Sequence, residues 1–170
     1  TGTRIPPMSC DEYEKYVEGW YMKRANYDCF MDLAGPGTAL VVDAEGYVDV
    51  GFWGSMVALV AKRKGVKGIV LDGGCRDSWE IRRIGFPVFC RGVGRTEVVG
   101  RIELDKERVN VPVVVGGATI NPGDIVVGDD DGVVVVPAKV ASKVLERAER
   151  QLYLDREAQR PYLASLGLSL

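Results

Sequence analysis

The spacing of apolar residues near the start of the chain predicts a helix. Ser9 is a typical N-cap residue, and the acidic residues that follow Cys10 suit the positive end of a helix dipole. Aromatic residues recur at helical spacing to about Ala34, where the sequence Gly35-Pro36-Gly37 ends any helix that reaches it. We interpret these aromatic residues as a packing face, because aromatic side chains dominate the energetics of cores and subunit contacts.

The pattern changes to strand, helix, strand from residue 38 onward. The apolar, β-branched runs Thr38–Asp43 and Lys67–Asp72 predict buried strands, and the run Ser55–Lys64 between them predicts a helix ended by Gly65. Together they form a βαβ unit. The unit then repeats in shorter form, with the loop Gly73–Asp77, the helix Ser78–Ile84 and the strand Pro87–Cys90.

The remaining part of the chain predicts β structure followed by one helix. We interpret Asp129-Asp-Asp-Gly132 as a hairpin turn, because it lacks the alternating spacing of a calcium loop. A helix from about Ala138 to Ala158 follows. The whole pattern predicts a single α/β domain over residues 1–170, with βαβ units and a C-terminal helix. The strand-like runs of this part are Glu97–Leu104, Val109–Val115, Asp124–Val127 and Gly132–Val136.

The composition excludes several classes of function. The 170 residues contain no histidine, which excludes Ser-His and Cys-His catalytic pairs and every zinc site that needs imidazole. Lys and Arg number 22 against 24 for Asp and Glu, so the chain lacks the broad positive field that gathers phosphates. We therefore expect no nucleic-acid partner.

The sequence also indicates a cellular compartment. The four cysteines, Cys10, Cys29, Cys75 and Cys90, form no C-x-x-C motif, which favours free thiols in a reducing environment. No apolar run approaches the roughly 18 residues of a membrane span, and no signal peptide opens the chain. We expect a cytoplasmic protein without a membrane partner.

The loop Gly73–Asp77 is the sharpest candidate for chemistry. It follows a predicted buried strand, and the ligands of open α/β sheets gather beyond the carboxyl ends of the strands. Asp77 could hold Mg²⁺ directly or through water, and Arg76 could face a carboxylate or a developing enolate oxygen. The alternative is structural: Asp77 would cap the helix that begins near Ser78, and Arg76 would form an ordinary ion pair.

The start of the predicted helix at Ser55 is the second candidate. Its free backbone amides and positive dipole end suit a carboxylate or phosphate, although every helix has such an end. The small residues Gly54 and Ser55 leave this end open, and Met56 and Val57 supply the next amides. Because the two candidates follow neighbouring strands, we expect them to share one pocket, with an anion on the amides and a metal at Asp77.

A series of short motifs runs in order along most of the chain. They are Trp53-Gly54, Gly65-Val66, Gly68-Ile-Val-Leu-Asp72-Gly73, Arg76-Asp77, Ile84-Gly85-Phe-Pro87-Val-Phe, Arg91-Gly92, Val111-Pro112-Val, Gly116-Gly117, Pro122-Gly123-Asp124, Gly128-Asp129 and Asp131-Gly132-Val-Val-Val-Val-Pro137. The series resembles the RraA-like family, which includes class II aldolases that cleave 4-hydroxy-4-methyl-2-oxoglutarate and regulators of ribonuclease E. The resemblance is close from about Ala34 to Pro137 and looser elsewhere.

The resemblance implies a fold, an assembly and an activity. The fold is a single-domain α/β/β sandwich of the swivelling-domain type, and the assembly is a homotrimer or homohexamer with sites between subunits. The activity is that of a divalent-metal-dependent carbon–carbon lyase, either a 4-hydroxy-4-methyl-2-oxoglutarate aldolase or an oxaloacetate decarboxylase. Such an enzyme cleaves small 2-oxo dicarboxylic acids to pyruvate through a metal-stabilised enolate.

The resemblance also implies roles for particular residues. Asp77 would anchor Mg²⁺ or Mn²⁺, and Arg76 would stabilise the pyruvate enolate. Backbone amides near Met56 and Val57 would hold the substrate carboxylate. Glu157 is the match for a second acid that a neighbouring subunit supplies, so it joins Arg76 and Asp77 as a catalytic candidate.

The chain departs from the family pattern in two places. Ser55 stands where aldolase members often carry an acidic residue that positions the water taking the hydroxyl proton, which favours decarboxylation over aldol cleavage. The stretch Ser9–Arg24 looks inserted, and the usual N-terminal segment of the family is expected to be absent. Two other functions stay open: a non-catalytic regulator that binds a ribonuclease or another protein, and an aldolase-like shell that binds an oxo acid without turnover.

Overall fold

The computed structural model describes residues 5–169, in which helices and strands alternate along the first half of the chain. Two 3₁₀ turns, Lys106–Arg108 and Ala138–Val140, accompany the longer elements. The helices are α1 (Cys10–Lys23), α2 (Asp28–Met31), α3 (Ser55–Arg63), α4 (Ser78–Ile84) and α5 (Ala141–Ser165). The strands are β1 (Ala39–Trp53), β2 (Gly68–Cys75), β3 (Val88–Val93), β4 (Val113–Val115), β5 (Ala118–Ile120), β6 (Ile125–Asp129) and β7 (Gly132–Val136).

A parallel three-stranded sheet organises the first half of the chain. Its order is β1-β2-β3, and α3 and α4 connect the successive strands. Every residue of β2 is buried, as expected of the middle strand of a parallel sheet covered by helices. The arrangement confirms the mixed α/β class and the two βαβ units predicted from the sequence.

The hydrophobic core joins the sheet to the inner faces of its two connecting helices. Trp53 is fully buried, and its ring stacks on Phe86 with the ring centroids 5.9 Å apart. Leu71 from β2 belongs to the same cluster, together with Ala58 and Ala61 from α3. These two alanines lie three residues apart on one helix face, and their small side chains let α3 pack closely on the sheet.

The helix predicted near the start of the chain is shorter than expected. Ser9 caps α1 through a capping box, which confirms the predicted N-terminus, but α1 ends at Lys23 and a break separates it from α2. Within the break, the side-chain oxygen of Asn26 accepts a hydrogen bond of 2.8 Å from the amide of Asp28. A local bond of this kind offers the backbone an alternative to the helix.

The aromatic residues of this region pack onto the core, as the sequence predicts. The indole N–H of Trp20 donates to the carbonyl oxygen of Ile102 at 3.1 Å. The hydroxyl of Tyr27 donates to the carbonyl oxygen of Phe52 at 2.6 Å. These bonds tie the N-terminal helices to the last residues of β1 and to the segment after β3.

The predicted loop Gly73–Asp77 is a strand over its first half. β2 continues to Cys75 because Gly73 and Gly74 pair with Tyr47 and Gly51 of β1. The sequence predicts a loop because glycine is rare in strands and usually marks a turn, and this prediction is wrong.

The predicted strand Glu97–Leu104 is also wrong. The amides of Arg101 and Ile102 both donate to the carbonyl oxygen of Val98, at 2.9 and 3.0 Å, and this closes a turn. Val98 is buried, so its apolar character reflects a core position rather than a strand. The run Val109–Val115 likewise contributes only β4, which pairs with β5 in an antiparallel hairpin.

The described chain separates into two compact units. The first comprises residues 5–122 and 128–133, and it contains the parallel sheet and the β4–β5 hairpin. The second comprises residues 123–127 and 134–169, and it contains α5, a helix of 25 residues without a buried side chain. Among residues 5–169, no helix is both long and apolar enough to cross a membrane.

The pairing of β1 with β2 generates a prediction about Gly74. A methyl group there would lie 2.6 Å from the carbonyl oxygen of Val48 and closer still to that of Val50, and backbone atoms within a sheet cannot move away. We expect Gly74→Ala to lower the free energy of unfolding by about 1–3 kcal/mol.

Gly19 provides the matched control for this substitution. It lies within α1 with nothing within 4 Å of an added methyl group, so Gly19→Ala should raise stability by up to about 1 kcal/mol. Urea unfolding of both variants measures the two effects. A Gly74→Ala protein as stable as the parent chain would contradict the predicted clash.

Candidate functional site

Two connections leave the parallel sheet side by side. Arg76 and Asp77 link β2 to α4, and Gly54 links β1 to α3, which begins at Ser55. The strands β1 and β2 are paired to their last residues, and the amide of Arg76 donates to the carbonyl oxygen of Trp53 at 2.8 Å. The structure therefore brings the two candidate segments of the sequence together at the carboxyl edge of the sheet.

The carboxylate of Asp77 caps the neighbouring helix rather than its own. Asp77 occupies the N-cap position of α4 but makes no side-chain hydrogen bond to that helix. Its Oδ2 instead accepts from the backbone amide and the hydroxyl of Ser55, at 3.0 and 3.2 Å. The backbone of Asp77 is left-handed, with φ of 57°, a conformation that Asp tolerates better than most residues. The side chain is thereby turned away from α4 and towards α3.

The side chain of Arg76 lies against two glycines of the β1 segment. A methyl group on Gly51 would lie 2.6 Å from Cβ of Arg76, and one on Gly54 would lie 3.0 Å from the Cζ atom of its guanidinium. Because glycine has no side chain, these two positions leave room for the arginine. The guanidinium donates to Oδ2 of Asp77 at 3.2 Å, so the two charged groups form a pair whose side chains are each about 30% exposed.

One donor of this arginine is left over. Within residues 5–169, Nε of Arg76 is buried and has no hydrogen-bond partner. A buried polar group without a partner is costly, and such a donor beside an open helix end suits an anionic ligand oxygen.

The first turn of α3 forms the other side of the site. The amide of Ser55 already donates to Asp77. The next amides belong to Met56 and Val57, and they have no partner carbonyl within the helix. Met56 is 69% exposed. The turn therefore presents backbone donors and a positive dipole end at the surface, next to Arg76.

The residues present fit a divalent cation held mainly by water and ligand oxygens. The three hydrogen bonds described above all end on Oδ2 of Asp77, which leaves Oδ1 as the oxygen that could face a cation. Across residues 5–169 no group of three or more Cys, Asp or Glu side chains could enclose a metal ion. Mg²⁺ commonly binds through one or two carboxylates and keeps several waters. A site with a single carboxylate therefore suits Mg²⁺ better than a metal that needs a complete set of protein ligands.

Glu157, the remaining catalytic candidate, lies on α5 in the second unit. Its carboxylate pairs with Arg160 of the same helix at 2.7 Å. Its assignment as a second acid stays a prediction.

The thiol of Cys75 on β2 donates to the carbonyl oxygen of Arg76 at 3.4 Å, and the thiol of Cys90 lies on the neighbouring strand β3. The neighbouring Cys75 thiol lowers the pKa of Cys90 to about 6, whereas the neighbouring Cys90 and burial raise the pKa of Cys75. Cys75 is buried whereas Cys90 is exposed. Although Cys75 is next to Arg76, it stays protonated and is not a nucleophile of the site.

Sequence reasoning missed the contribution of Gly51 and Tyr27. Gly51 belongs to β1 and makes room for Arg76, but a single glycine in an extended stretch gave no signal of a neighbouring side chain. Tyr27 donates to the carbonyl oxygen of Phe52 near the end of β1, yet its position in an aromatic run indicated only packing. The contacts of both residues join segments more than 20 positions apart, so no local pattern could have found them.

The thiols of Cys75 and Cys90 generate a testable prediction about reactivity. Because the thiolate is the reactive form, iodoacetamide should label Cys90 with a rate that is half-maximal near pH 6, while Cys75 stays unlabelled in the folded chain. Mass spectrometry of labelled peptides gives both rates. In Cys75→Ala the neighbouring thiol is lost, so the pH midpoint for Cys90 should rise; an unchanged midpoint would show that Cys75 is not the cause.

Comparison with known proteins identifies relatives of this chain. Residues 15–135 match the RraA-like family, described as Aldolase/RraA. A protein of Halalkalibacterium halodurans with the name "Putative 4-hydroxy-4-methyl-2-oxoglutarate aldolase" is 37% identical over 127 residues, which are 75% of this chain and 59% of that protein. The chain thus spans about three fifths of the length of this curated relative.

Two solved structures share both sequence and fold with the chain. An uncharacterized protein from Pseudomonas syringae pv. tomato has a TM-score of 0.72 and 33% identity, over 86% of this chain and 70% of that one. RraAS2 of Streptomyces coelicolor, described as an unusual member of the RNase ES inhibitor RraA protein family, has a TM-score of 0.70 and 34% identity, over 78% and 66%. The family match covers well over half of the 170 residues, and the chain belongs to the RraA-like family.

Proposed function

We propose that the chain is a divalent-metal-dependent lyase that releases pyruvate from small 2-oxo dicarboxylic acids. The observation that carries the proposal is the pairing of Arg76 with Asp77 at the end of β2, directly beside the first turn of α3. A cationic donor, a carboxylate and free backbone amides are the groups that binding an oxo acid and stabilising its enolate require. Relatives named as 4-hydroxy-4-methyl-2-oxoglutarate aldolases support the same reaction class.

The proposed binding mode uses the backbone for one end of the substrate. The amides of Met56 and Val57 bind the carboxylate next to the oxo group, as the positive end of a helix dipole favours an anion. Asp77 would hold Mg²⁺ or Mn²⁺, which when bound supplies Lewis-acid polarisation of the oxo group. Arg76 faces the oxo oxygen and donates to it more strongly as negative charge develops there.

The bond that breaks is the one between C3 and C4 of the oxo acid. Its electron pair passes into the enolate of pyruvate, whose oxygen Arg76 stabilises, and C3 of the enolate then takes a proton from water to give pyruvate. From oxaloacetate the fragment that leaves is carbon dioxide, and from 4-hydroxy-4-methyl-2-oxoglutarate it is a second pyruvate. Only the second reaction also requires a base that removes the proton of the substrate hydroxyl.

The contacts of Ser55 favour decarboxylation within this proposal. The hydroxyl of Ser55 donates to Oδ2 of Asp77. Serine carries no carboxylate that could accept the proton of the substrate hydroxyl. Retro-aldol cleavage would need a base from elsewhere, and Glu157 of a neighbouring subunit in a homotrimer or homohexamer is our candidate. Decarboxylation of oxaloacetate needs none, so we propose it as the better-supported activity.

A regulatory role is the second candidate function. The relative from Streptomyces coelicolor is described as belonging to an RNase ES inhibitor family. A protein that only binds a ribonuclease would not depend on the carboxylate of Asp77. Inhibition of ribonuclease ES by the chain, equally strong in an Asp77→Asn variant that releases no pyruvate, would favour this role.

The lyase proposal predicts the effect of replacing Asp77. We expect Asp77→Asn to reduce metal-dependent pyruvate release from oxaloacetate by about 100-fold or more, because the amide neither holds the cation nor balances Arg76. EDTA should reduce the activity of the parent chain similarly. A coupled lactate dehydrogenase assay, corrected for spontaneous decay, measures the release.

Glu80→Gln is the matched control. Glu80 is an exposed carboxylate in the first turn of α4, three residues after Asp77. Its replacement removes one negative charge near the site and should leave the rate within about twofold of the parent chain. Full metal-dependent activity in Asp77→Asn would rule out the assignment of Asp77.

A further inference from the structure

The hydrogen bonds that hold the Asp77 carboxylate use one of its two oxygens. Oδ2 accepts from the backbone amide of Ser55 at 3.0 Å, from the Ser55 hydroxyl at 3.2 Å and from the guanidinium of Arg76 at 3.2 Å. An ionised carboxylate has about two lone-pair positions on each oxygen, so three donors leave Oδ2 no capacity for a cation. Oδ1 accepts none of these three bonds and keeps its lone pairs for another ligand.

The side chain of Asp77 does not set the plane of its own carboxylate. The outer torsion of an aspartate is broad and roughly two-fold, so the carboxylate turns with little intrinsic preference. The side chain also makes no hydrogen bond to α4, the helix that Asp77 precedes. The direction of Oδ1 therefore depends on the donors that hold Oδ2.

The three donors have different tasks in the proposed reaction. The amide of Ser55 belongs to the backbone of α3, and the guanidinium of Arg76 faces the oxo oxygen of the substrate in our proposal. The Ser55 hydroxyl is the remaining donor of the three. Because an ionised carboxylate only accepts hydrogen bonds, this hydroxyl gives its single proton to Oδ2. Ser55 thus directs both its amide and its hydroxyl at Asp77.

The surroundings of Oδ2 confine this contact. A methyl group on Gly54 would lie 2.9 Å from Oδ2 and 3.0 Å from Cζ of Arg76, so the carboxylate is packed against the start of α3. Ser55 is half-buried, and a hydrogen bond shielded from water is electrostatically stronger than an exposed one. The side chain of Asp77 is 31% exposed, which leaves it within reach of a hydrated cation.

We propose that Ser55 is a positioning residue whose hydroxyl holds Oδ2 of Asp77 and so presents Oδ1 to a divalent cation. The inference rests on the proposed function, in which Asp77 holds the metal. Ser55 acts through Asp77 and does not itself contact the cation or the substrate. Replacing a group that orients a metal-binding carboxylate typically costs about 10- to 100-fold in metal affinity.

The binding test removes the hydroxyl and keeps the amide. Ser55→Ala should raise the dissociation constant for Mn²⁺ about tenfold, at the lower end of that range because two of the three donors remain. Ser55→Thr retains a hydroxyl and should restore the constant to within about threefold of the parent chain. Electron paramagnetic resonance of free Mn²⁺ measures the binding without substrate or turnover.

Ser78→Ala is the matched control. Ser78 is likewise a half-buried serine at the first position of a helix that follows a strand of the parallel sheet. The Asp77 carboxylate makes no hydrogen bond to that helix, so the control removes a hydroxyl without loosening the carboxylate. The Mn²⁺ affinity of Ser78→Ala should equal that of the parent chain. Far-ultraviolet circular dichroism verifies that all three variants are folded.

The kinetic test separates metal affinity from the reaction itself. With oxaloacetate as substrate, Ser55→Ala should need about tenfold more Mn²⁺ for half-maximal pyruvate release. Its kcat at saturating Mn²⁺ should stay within about threefold of the parent value, because the groups that act on the substrate are all present. A residue that took part in the reaction would lower kcat at every metal concentration.

The outcomes separate this inference from the lyase function. An unchanged Mn²⁺ affinity in Ser55→Ala would overturn the positioning role, as would a loss of affinity that Ser55→Thr does not reverse. A kcat that stays low at saturating Mn²⁺ would also overturn it, since Ser55 would then act in the reaction directly. Failure of the folded parent chain to bind Mn²⁺ would overturn both proposals. Mn²⁺ binding that depends on Ser55, without pyruvate release, would overturn the lyase function and leave the positioning role intact.

Discussion

The close approach of β1 to β2 is the constraint on which the site depends. At Gly74 the backbone of β2 lies so near the carbonyl groups of β1 that even a methyl group would overlap them, and at Gly51 the same proximity is used by the side chain of Arg76. Because of this close approach, β1 and β2 end side by side, and the connections from β1 to α3 and from β2 to α4 begin at the same edge of the sheet. If side chains occupied these positions, Arg76 would be pushed away from Gly54 and the two connections would separate.

The carboxylate of Asp77 then joins fold and chemistry. Asp77 follows the end of β2, and its Oδ2 caps α3 by accepting from the amide of Ser55. The same oxygen accepts from the guanidinium of Arg76 and so fixes its position. A charged cap at a helix N-terminus contributes about 0.5–2 kcal/mol to stability. The left-handed backbone of Asp77 opposes this gain, and we interpret it as local strain that the surrounding hydrogen bonds maintain.

In this member of the RraA-like family the candidate site lies at the edge of the parallel sheet, and aromatic residues of the N-terminal helices pack on the core. The parallel sheet supplies Arg76, Asp77 and the first turn of α3, which in our proposal bind and polarise an oxo acid. The hydroxyl of Tyr27 donates to the carbonyl oxygen of Phe52, one residue before the end of β1.

The sequence by itself determined the βαβ units and the helix starts at Ser9, Ser55 and Ser78, because periodicity and helix caps are local properties. It also identified Arg76 and Asp77 as candidate site residues, because they follow the end of a predicted strand. It placed a loop at Gly73 and Gly74 and a strand over Glu97–Leu104, since glycine and valine have strong average preferences that core packing reversed. Only the tertiary structure decided which helix Asp77 caps, what lies over Gly51 and which carbonyl group Tyr27 binds. Each of these contacts joins residues more than 20 positions apart, and its geometry is set by the strand register.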